Sequence, residues 1–129
     1  MQPPTPSALV SERCAHLNDQ LPQDIEQLKP RVISPRTPLV HAWGDPAIVL
    51  TCGVPRPIGY SPKSSETTAV DGIRWFEQEG TSQVVWTAIS QHKLPSGETV
   101  NVRLVVPTSY QGQGAFLVDL AAALHATLP

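Results

Sequence analysis

The sequence predicts a single α+β domain with an N-terminal helix, an antiparallel four-stranded sheet that contains a three-strand meander, and a C-terminal helix packed on one face of that sheet. Three observations predict this fold class. Segments near both ends repeat apolar residues at helical spacing, four segments between them have strand patterns, and the last three strands follow in quick order with glycine-containing connections. The 129 residues are enough for one domain, placed at residues 8–129 after a proline-rich lead-in or tether at residues 1–7.

The two predicted helices lie at opposite ends of this domain. Residues 8–21 place apolar side chains at spacings of four, three and four, and Pro22 ends the pattern. Residues 111–128 repeat apolar residues on one face in the same way. The predicted inner faces consist of Val10, Cys14, Leu17 and Leu21 in the first helix, and of Leu117, Leu120, Ala121, Leu124 and Leu128 in the second.

The four predicted strands occupy residues 47–54, 72–79, 82–91 and 99–107. In the first of them Ile48, Leu50 and Cys52 share one side. The last strand alternates most clearly, with Asn101 and Arg103 pointing outward, and Pro107 ends it. Its inward residues are Val100, Val102, Leu104 and Val106. Two segments, 31–38 and 55–69, are predicted to be loops.

Composition and motif spacing exclude several function classes. The net charge is −2 and no basic stripe is present, which argues against a nucleic-acid partner. No apolar run reaches 18 residues, so this segment is not expected to insert into a membrane. The four histidines lack ligand spacing, there is no CxxC motif, and no glycine-rich phosphate loop matches, so neither a metal nor a cofactor is expected.

Cys14 and Cys52 are the two cysteines, and each falls on the apolar side of a predicted element. They therefore face the same helix–sheet interface, where they form either a disulfide or two free buried thiols. A disulfide would indicate an oxidising compartment. A catalytic role is disfavoured, because an apolar strand stabilises a thiolate poorly at Cys52.

The predicted binding surface lies around the segment "AWGDPAIVLTCGVPRP" at residues 42–57. Tryptophan and arginine dominate binding hot spots, and loops next to a rigid strand display them well. The candidate residues are Trp43, Asp45, Arg56 and Tyr60. Two of these have a structural alternative, since Trp43 could belong to the core and Asp45 could stabilise a turn through its side chain.

No catalytic residues are assigned, because no nucleophile motif or paired signature is present. A small hydrolase or transferase that acts on an envelope substrate is the alternative function. Its acid–base groups would be Asp45, His41 or Asp71. A third possibility is a cytosolic structural protein with free thiols.

The order of these motifs resembles the DUF3515 family, a group of actinobacterial proteins of unknown function. The resemblance rests on a cysteine in an N-terminal helix that ends in "LP", the segment at residues 42–57, a Gly-Ile-Arg-Trp strand and a "VNVRLVVP" strand, and it covers about residues 12–128. It implies that Cys14 and Cys52 are the family's cysteine pair. It also implies an N-terminal membrane segment or lipoprotein-like signal, which this chain lacks, and a domain outside the cytoplasm.

Together, the residues and the resemblance predict an extracytoplasmic, disulfide-stabilised accessory or binding domain of the actinobacterial cell envelope. In its full-length form such a domain would be anchored to the membrane. Its expected partner is an envelope protein or a cell-wall component. Catalysis is not expected, because the chain shows no catalytic constellation.

Overall fold

The fold is built on one antiparallel sheet of seven strands with two helices. The computed structural model describes residues 7–22, 25, 28–31, 39–54, 60, 67–89, 94, 97, 99–110 and 114–127. Within these residues the strand order is β1-β2-β3-β7-β6-β5-β4. The elements are α1 (Ala8–Gln20), β1 (Pro30–Arg31), β2 (Val40–Trp43), β3 (Ile48–Val54), β4 (Thr68–Val70), β5 (Ile73–Glu79), β6 (Gln83–Ile89), β7 (Asn101–Pro107) and α2 (Gly114–Thr127).

The predicted α+β fold with a four-stranded sheet and a three-strand meander is wrong. The chain is mostly β, and its described part contributes seven strands to one sheet. The three additional strands are β1, β2 and β4, which have two to four residues each. Such short strands contain too few residues for an alternating pattern to emerge.

The β2–β3 and β4–β5 hairpins were not predicted, although the sequence contains turn residues at both. Residues Asp71 and Gly72 join β4 to β5 and both have positive φ angles, 49° and 85°, which is the geometry of a two-residue type I′ turn. In the other hairpin, Gly44–Ala47 connects β2 to β3. An Asp-Gly pair beside a strand pattern is a signal for a hairpin. The structure shows that hairpin, and the last two residues of the predicted loop 55–69 belong to β4.

Helix α1 lies close to where its apolar spacing predicts it. The Val10 N–H donates to Ser7 Oγ at the N-terminus over 3.4 Å, so Ser7 caps the helix although it was assigned to the lead-in. The helix ends before Pro22 and buries Val10, Cys14 and Leu17. This buried side packs against β3 and α2.

The core lies between the sheet and the helix layer. Most of the apolar side chains of β3, β7, β6 and β5 that face the helices are buried, and α2 contributes a buried apolar face of its own. All three tryptophans, Trp43 of β2, Trp75 of β5 and Trp86 of β6, belong to this core. Its principal sheet residues are Ile48, Leu50, Cys52, Val102, Leu104, Val106, Ala88 and Ile73, and its α2 residues are Phe116, Leu117, Leu120, Ala121, Ala123 and Leu124.

Asn101 lies on the side of β7 that faces away from the helices, as the alternation predicts, but it is buried. The register of β3 against β7 shifts between Cys52 and Val54, so Asn101 pairs with Val54. The Asn101 side chain donates from Nδ2 to the Val54 carbonyl (3.3 Å) and to Thr99 Oγ1 (3.2 Å). These hydrogen bonds compensate for part of the cost of burying an amide.

Candidate functional site

The two cysteines form a disulfide, as the first of the two alternatives predicts. The bond joins Cys14 of α1 to Cys52 of β3 across a Cα–Cα distance of 5.7 Å. Both residues are buried in the helix–sheet interface. The bond ties the first helix to a central strand, so the free-thiol alternative is wrong.

Two of the predicted surface residues, Trp43 and Asp45, lie at the turn between β2 and β3, and they differ in exposure. Trp43 is only 2% exposed and packs in the core, so its structural alternative holds and it does not anchor a ligand at the surface. Asp45 is 92% exposed and lies 3.4 Å from the Arg31 guanidinium. Two contacts hold the turn in place. Arg31 Nη1 donates to the Gly44 carbonyl, and the Tyr110 hydroxyl donates to the Pro46 carbonyl at 2.7 Å.

The other two predicted surface residues do not complete a site around this turn. Arg56 lies outside the described residues. The ring of Tyr60 meets the ring of Phe76 edge-on at 5.3 Å, which places Tyr60 against β5. Strand β5 is four strands from β2, or about 19 Å across the sheet. Asp45 and Tyr60 therefore belong to different regions, and the predicted four-residue surface is not assembled.

The three acid–base candidates are also dispersed. His41 lies in β2, with its ring centroid 6.3 Å from that of Trp43, and Asp45 follows in the next turn. Asp71 lies in the turn between β4 and β5. Strand β4 is five strands from β2, or about 24 Å. Asp71 cannot share a proton-transfer site with either of the other two.

The sheet face opposite the helices is the strongest candidate for a functional surface. We call it the arginine face and define it by the residues that alternate away from the helix layer in β1 to β7. No helix among the described residues packs on it. The face is nevertheless only partly accessible, because six of its members are buried: Val40, Ala42, Thr51, Thr87, Ile89 and Asn101. Its members are Arg31, Val40, Ala42, Val49, Thr51, Ala69, Arg74, Phe76, Gln78, Gln83, Val85, Thr87, Ile89, Asn101, Arg103, Val105 and Pro107.

Arg103 is at the centre of this face. It pairs with Thr51 of β3 on one side and with Thr87 of β6 on the other, and both threonines are buried. Thr87 pairs on its other side with Phe76 of β5, so Phe76 lies two strands from Arg103. The Arg103 side chain is half-buried, and so are Val105 and Phe76 near it.

A row of valines lies beside this arginine row. Val49, Val105 and Val85 are cross-strand partners on the three central strands, and all three are half-buried. Val105 and Arg103 are two residues apart on β7, which separates them by about 7 Å along the strand. An apolar strip and a cationic group thus lie side by side on a rigid sheet.

The described strands contribute three arginines to the arginine face, although the whole chain has a net charge of −2. No aspartate or glutamate alternates onto this face within the strands that the structure describes. Arg31 forms an ion pair with Asp45 at 3.4 Å, whereas Arg74 donates to Thr67 Oγ1 over 3.4 Å. Since a guanidinium presents donors in a fork that matches a carboxylate or a phosphate, Arg103 can bind an anionic group.

One buried polar atom adjoins this row. Within the described part of the chain, Asn101 Oδ1 has no hydrogen-bond partner, although the residue is only 2% exposed. Asn101 precedes Arg103 by two residues and so alternates to the same face. A buried amide oxygen without a partner can accept a hydrogen bond from a ligand or from ordered water.

Glu77 and Glu79 form an acidic pair at the end of β5, on the side of the sheet opposite the arginine face. Burial and the neighbouring Glu79 raise the pKa of Glu77, with burial the larger cause. Ionisation of Glu77 is therefore less favourable in the folded protein than in the unfolded chain.

This shift predicts a pH-dependent effect of Glu77→Gln. Above the range in which Glu77 ionises, the substitution should raise the melting temperature, because it removes a carboxylate that folding disfavours. At pH 3 both states carry a protonated Glu77, so the melting temperature should not change. Thermal unfolding at pH 3 and pH 7 measures this difference, with Glu12→Gln on α1 as the matched control. Equal changes for Glu77→Gln at the two pH values would contradict the assignment.

The described residues hold no group of three histidine, cysteine, aspartate or glutamate side chains placed to bind a metal ion. None of the helices formed by these residues has the length and hydropathy needed to span a membrane.

The arginine face was not predicted from the sequence, although one signal for it was present. The alternation in β7 placed Arg103 on the outward side. Its threonine neighbours come from β3 and β6, and only the strand order β3-β7-β6 brings them beside it. The site is therefore a product of sheet topology rather than of a local motif.

The chain belongs to a family described as "Protein of unknown function (DUF3515)", whose model matches residues 1–129. This confirms the family that the motif order resembles. No curated protein and no solved structure matches the chain.

Proposed function

We propose that this member of the DUF3515 family is an extracytoplasmic binding domain of the actinobacterial cell envelope, anchored to the membrane in its full-length form. It acts as a non-enzymatic accessory protein that binds an envelope protein or a cell-wall component through the arginine face. The observation that carries this proposal is the buried disulfide between Cys14 and Cys52. Such bonds persist in oxidising compartments and are rare in cytosolic proteins.

The shape of the sheet supports binding rather than catalysis. The arginine face joins arginines and an aromatic pair on a rigid scaffold, and these residue types are frequent in protein interfaces. Among the acid–base candidates, in contrast, Asp71 is separated from His41 and Asp45 by most of the width of the sheet.

The compartment is tested with the full-length protein in intact cells of the producing organism. A membrane-impermeant amine reagent should label the domain without lysis, because Lys29 is exposed. A cytosolic protein in the same cells serves as the control and should be labelled only after lysis. Labelling of the domain only after lysis would contradict the extracytoplasmic location.

The binding surface is tested separately by site-specific photo-crosslinking in intact cells. A photoreactive residue at Val85 of the arginine face should give a discrete cross-linked product, whereas one at the exposed Ala15 of α1 should not. The product from position 85 should diminish when Arg103 is replaced by methionine. Products of equal yield from both positions, or none from position 85, would contradict binding through this face.

A further inference from the structure

We propose that β4 and the β4–β5 turn form a conformational flap at the end of the sheet, held closed by a hydrogen bond from His125 of α2 to the Asp71 carbonyl. When the flap opens, the buried indole of Trp75 in β5 comes into contact with water. The flap does not depend on the proposed binding function. It consists of a three-residue strand, one histidine contact and one unpaired indole N–H.

The histidine contact joins the last turn of α2 to the β4–β5 turn. His125 Nε2 lies within hydrogen-bond distance of the Asp71 carbonyl oxygen. Because a carbonyl oxygen only accepts, the proton is on Nε2, which carries one both in the imidazolium and in the neutral Nε2–H tautomer. The ring lies directly against Gly72, where a Cβ atom would be 2.9 Å from His125 Cε1. The glycine therefore allows the imidazole to reach the turn.

Strand β4 has few other attachments to the fold. Among the described strands it is at the edge of the sheet and pairs with β5 alone. Thr68 and Ala69 are exposed and Val70 is half-buried, so little apolar burial stabilises the strand. At its start, Arg74 Nη1 reaches Thr67 Oγ1 over the long distance of 3.4 Å. A short edge strand with so little burial is the kind of element that opens while the rest of the fold stays closed.

The closed state also contains an unpaired hydrogen-bond donor beside this strand. Trp75 is fully buried in the core, and within the described part of the chain its Nε1–H has no acceptor. Thr68 of β4 is its cross-strand partner, so it lies next to Trp75 on the edge side. An unpaired buried N–H is unfavourable, and water would satisfy it once β4 moves away. The His125 contact therefore favours the closed flap, whereas the Trp75 N–H favours the open one.

The test is native-state hydrogen exchange of the isotope-labelled domain, measured by NMR at urea concentrations below the unfolding transition. The protected amides of β4 and the indole N–H of Trp75 should exchange through an opening whose free energy depends little on urea, because a three-residue strand exposes little surface. The amides of β7, a central strand, should instead show the strong urea dependence of global unfolding.

The variant His125→Ala should accelerate exchange of the β4 amides and of the Trp75 indole by about fivefold, the order expected for the loss of one hydrogen bond. His125→Gln should restore the wild-type rates, because its side-chain amide is long enough to donate to the same carbonyl. The shorter His125→Asn should not restore them. His16→Ala removes an exposed histidine from α1 and is the matched control, which should leave these rates unchanged.

Several outcomes would overturn the proposal. Equal urea dependence of the β4 and β7 amides would show that this edge opens only when the whole domain unfolds. Unchanged β4 exchange in His125→Ala would show that the histidine does not hold the flap, and failure of His125→Gln to restore the rates would exclude its N–H as the cause. Slow exchange of the Trp75 indole while the β4 amides exchange quickly would show that opening does not uncover this side chain.

Discussion

Removal of the disulfide between Cys14 and Cys52 is expected to lower the free energy of unfolding by about 4 kcal/mol. The two cysteines are 38 residues apart, and the cross-link restricts the unfolded chain over that interval. The loss is a large share of the 5–15 kcal/mol typical of a single domain, on the order of a third or more. We therefore expect the doubly substituted protein to be only marginally folded at 37 °C.

Urea denaturation of the oxidised protein, the reduced protein and the double variant Cys14→Ala/Cys52→Ala measures this contribution. The reduced protein keeps both sulfur atoms, so it separates loss of the cross-link from loss of side-chain volume. Its midpoint should fall nearly as far as that of the double variant. An unchanged midpoint on reduction would show that the bond contributes little to stability.

Gly44→Ala is expected to destabilise the fold by about 3 kcal/mol, the second largest effect that we predict. Gly44 has a φ angle of 78°, which costs a residue with a Cβ atom about 1–2 kcal/mol. A Cβ atom there would lie 2.7 Å from the Tyr110 hydroxyl and 3.1 Å from Leu28 Cδ1. Because that hydroxyl donates to the Pro46 carbonyl, it cannot move away without losing a hydrogen bond.

Gly97→Ala provides the matched control. Gly97 has a similar φ angle of 89°, but a Cβ atom at this position would have no neighbour within 4 Å among the residues that the structure describes. Its substitution should therefore cost only the backbone term. Chemical denaturation measures the free energy of unfolding of four variants: Gly44→Ala, Gly97→Ala, Tyr110→Phe and Gly44→Ala/Tyr110→Phe. The double variant should be more stable than the sum of the two single effects predicts. Equal losses at the two glycines would contradict a role for the Tyr110 contact.

The elements that the sequence predicts well are those with long periodic patterns. Helix α1 lies within one residue of its predicted span, and strands β3, β5, β6 and β7 lie within the predicted segments. Each has at least seven residues, enough for several repeats of its own period. Strands β1, β2 and β4 are too short to show a period, and they were recognised only through their pairing.

The candidate site was predicted less well, for reasons that particular residues make clear. Trp43 precedes a turn and was considered for a surface role, yet it belongs to β2 and faces the helix layer. Asp45 is exposed as expected of a turn residue, but its partner is Arg31 of β1. Local sequence indicates that a residue lies near a turn, whereas burial depends on the strand that pairs with it.

The sequence by itself determined the family, the two helices and the inward direction of both cysteines. These follow from local periodicity and from the order of motifs along the chain. Only the tertiary structure decided that the cysteines are bonded, that the sheet has seven strands and that Arg103 lies between Thr51 and Thr87. The physical reason is that strand pairing joins residues far apart in sequence, and no local pattern specifies which strands become neighbours.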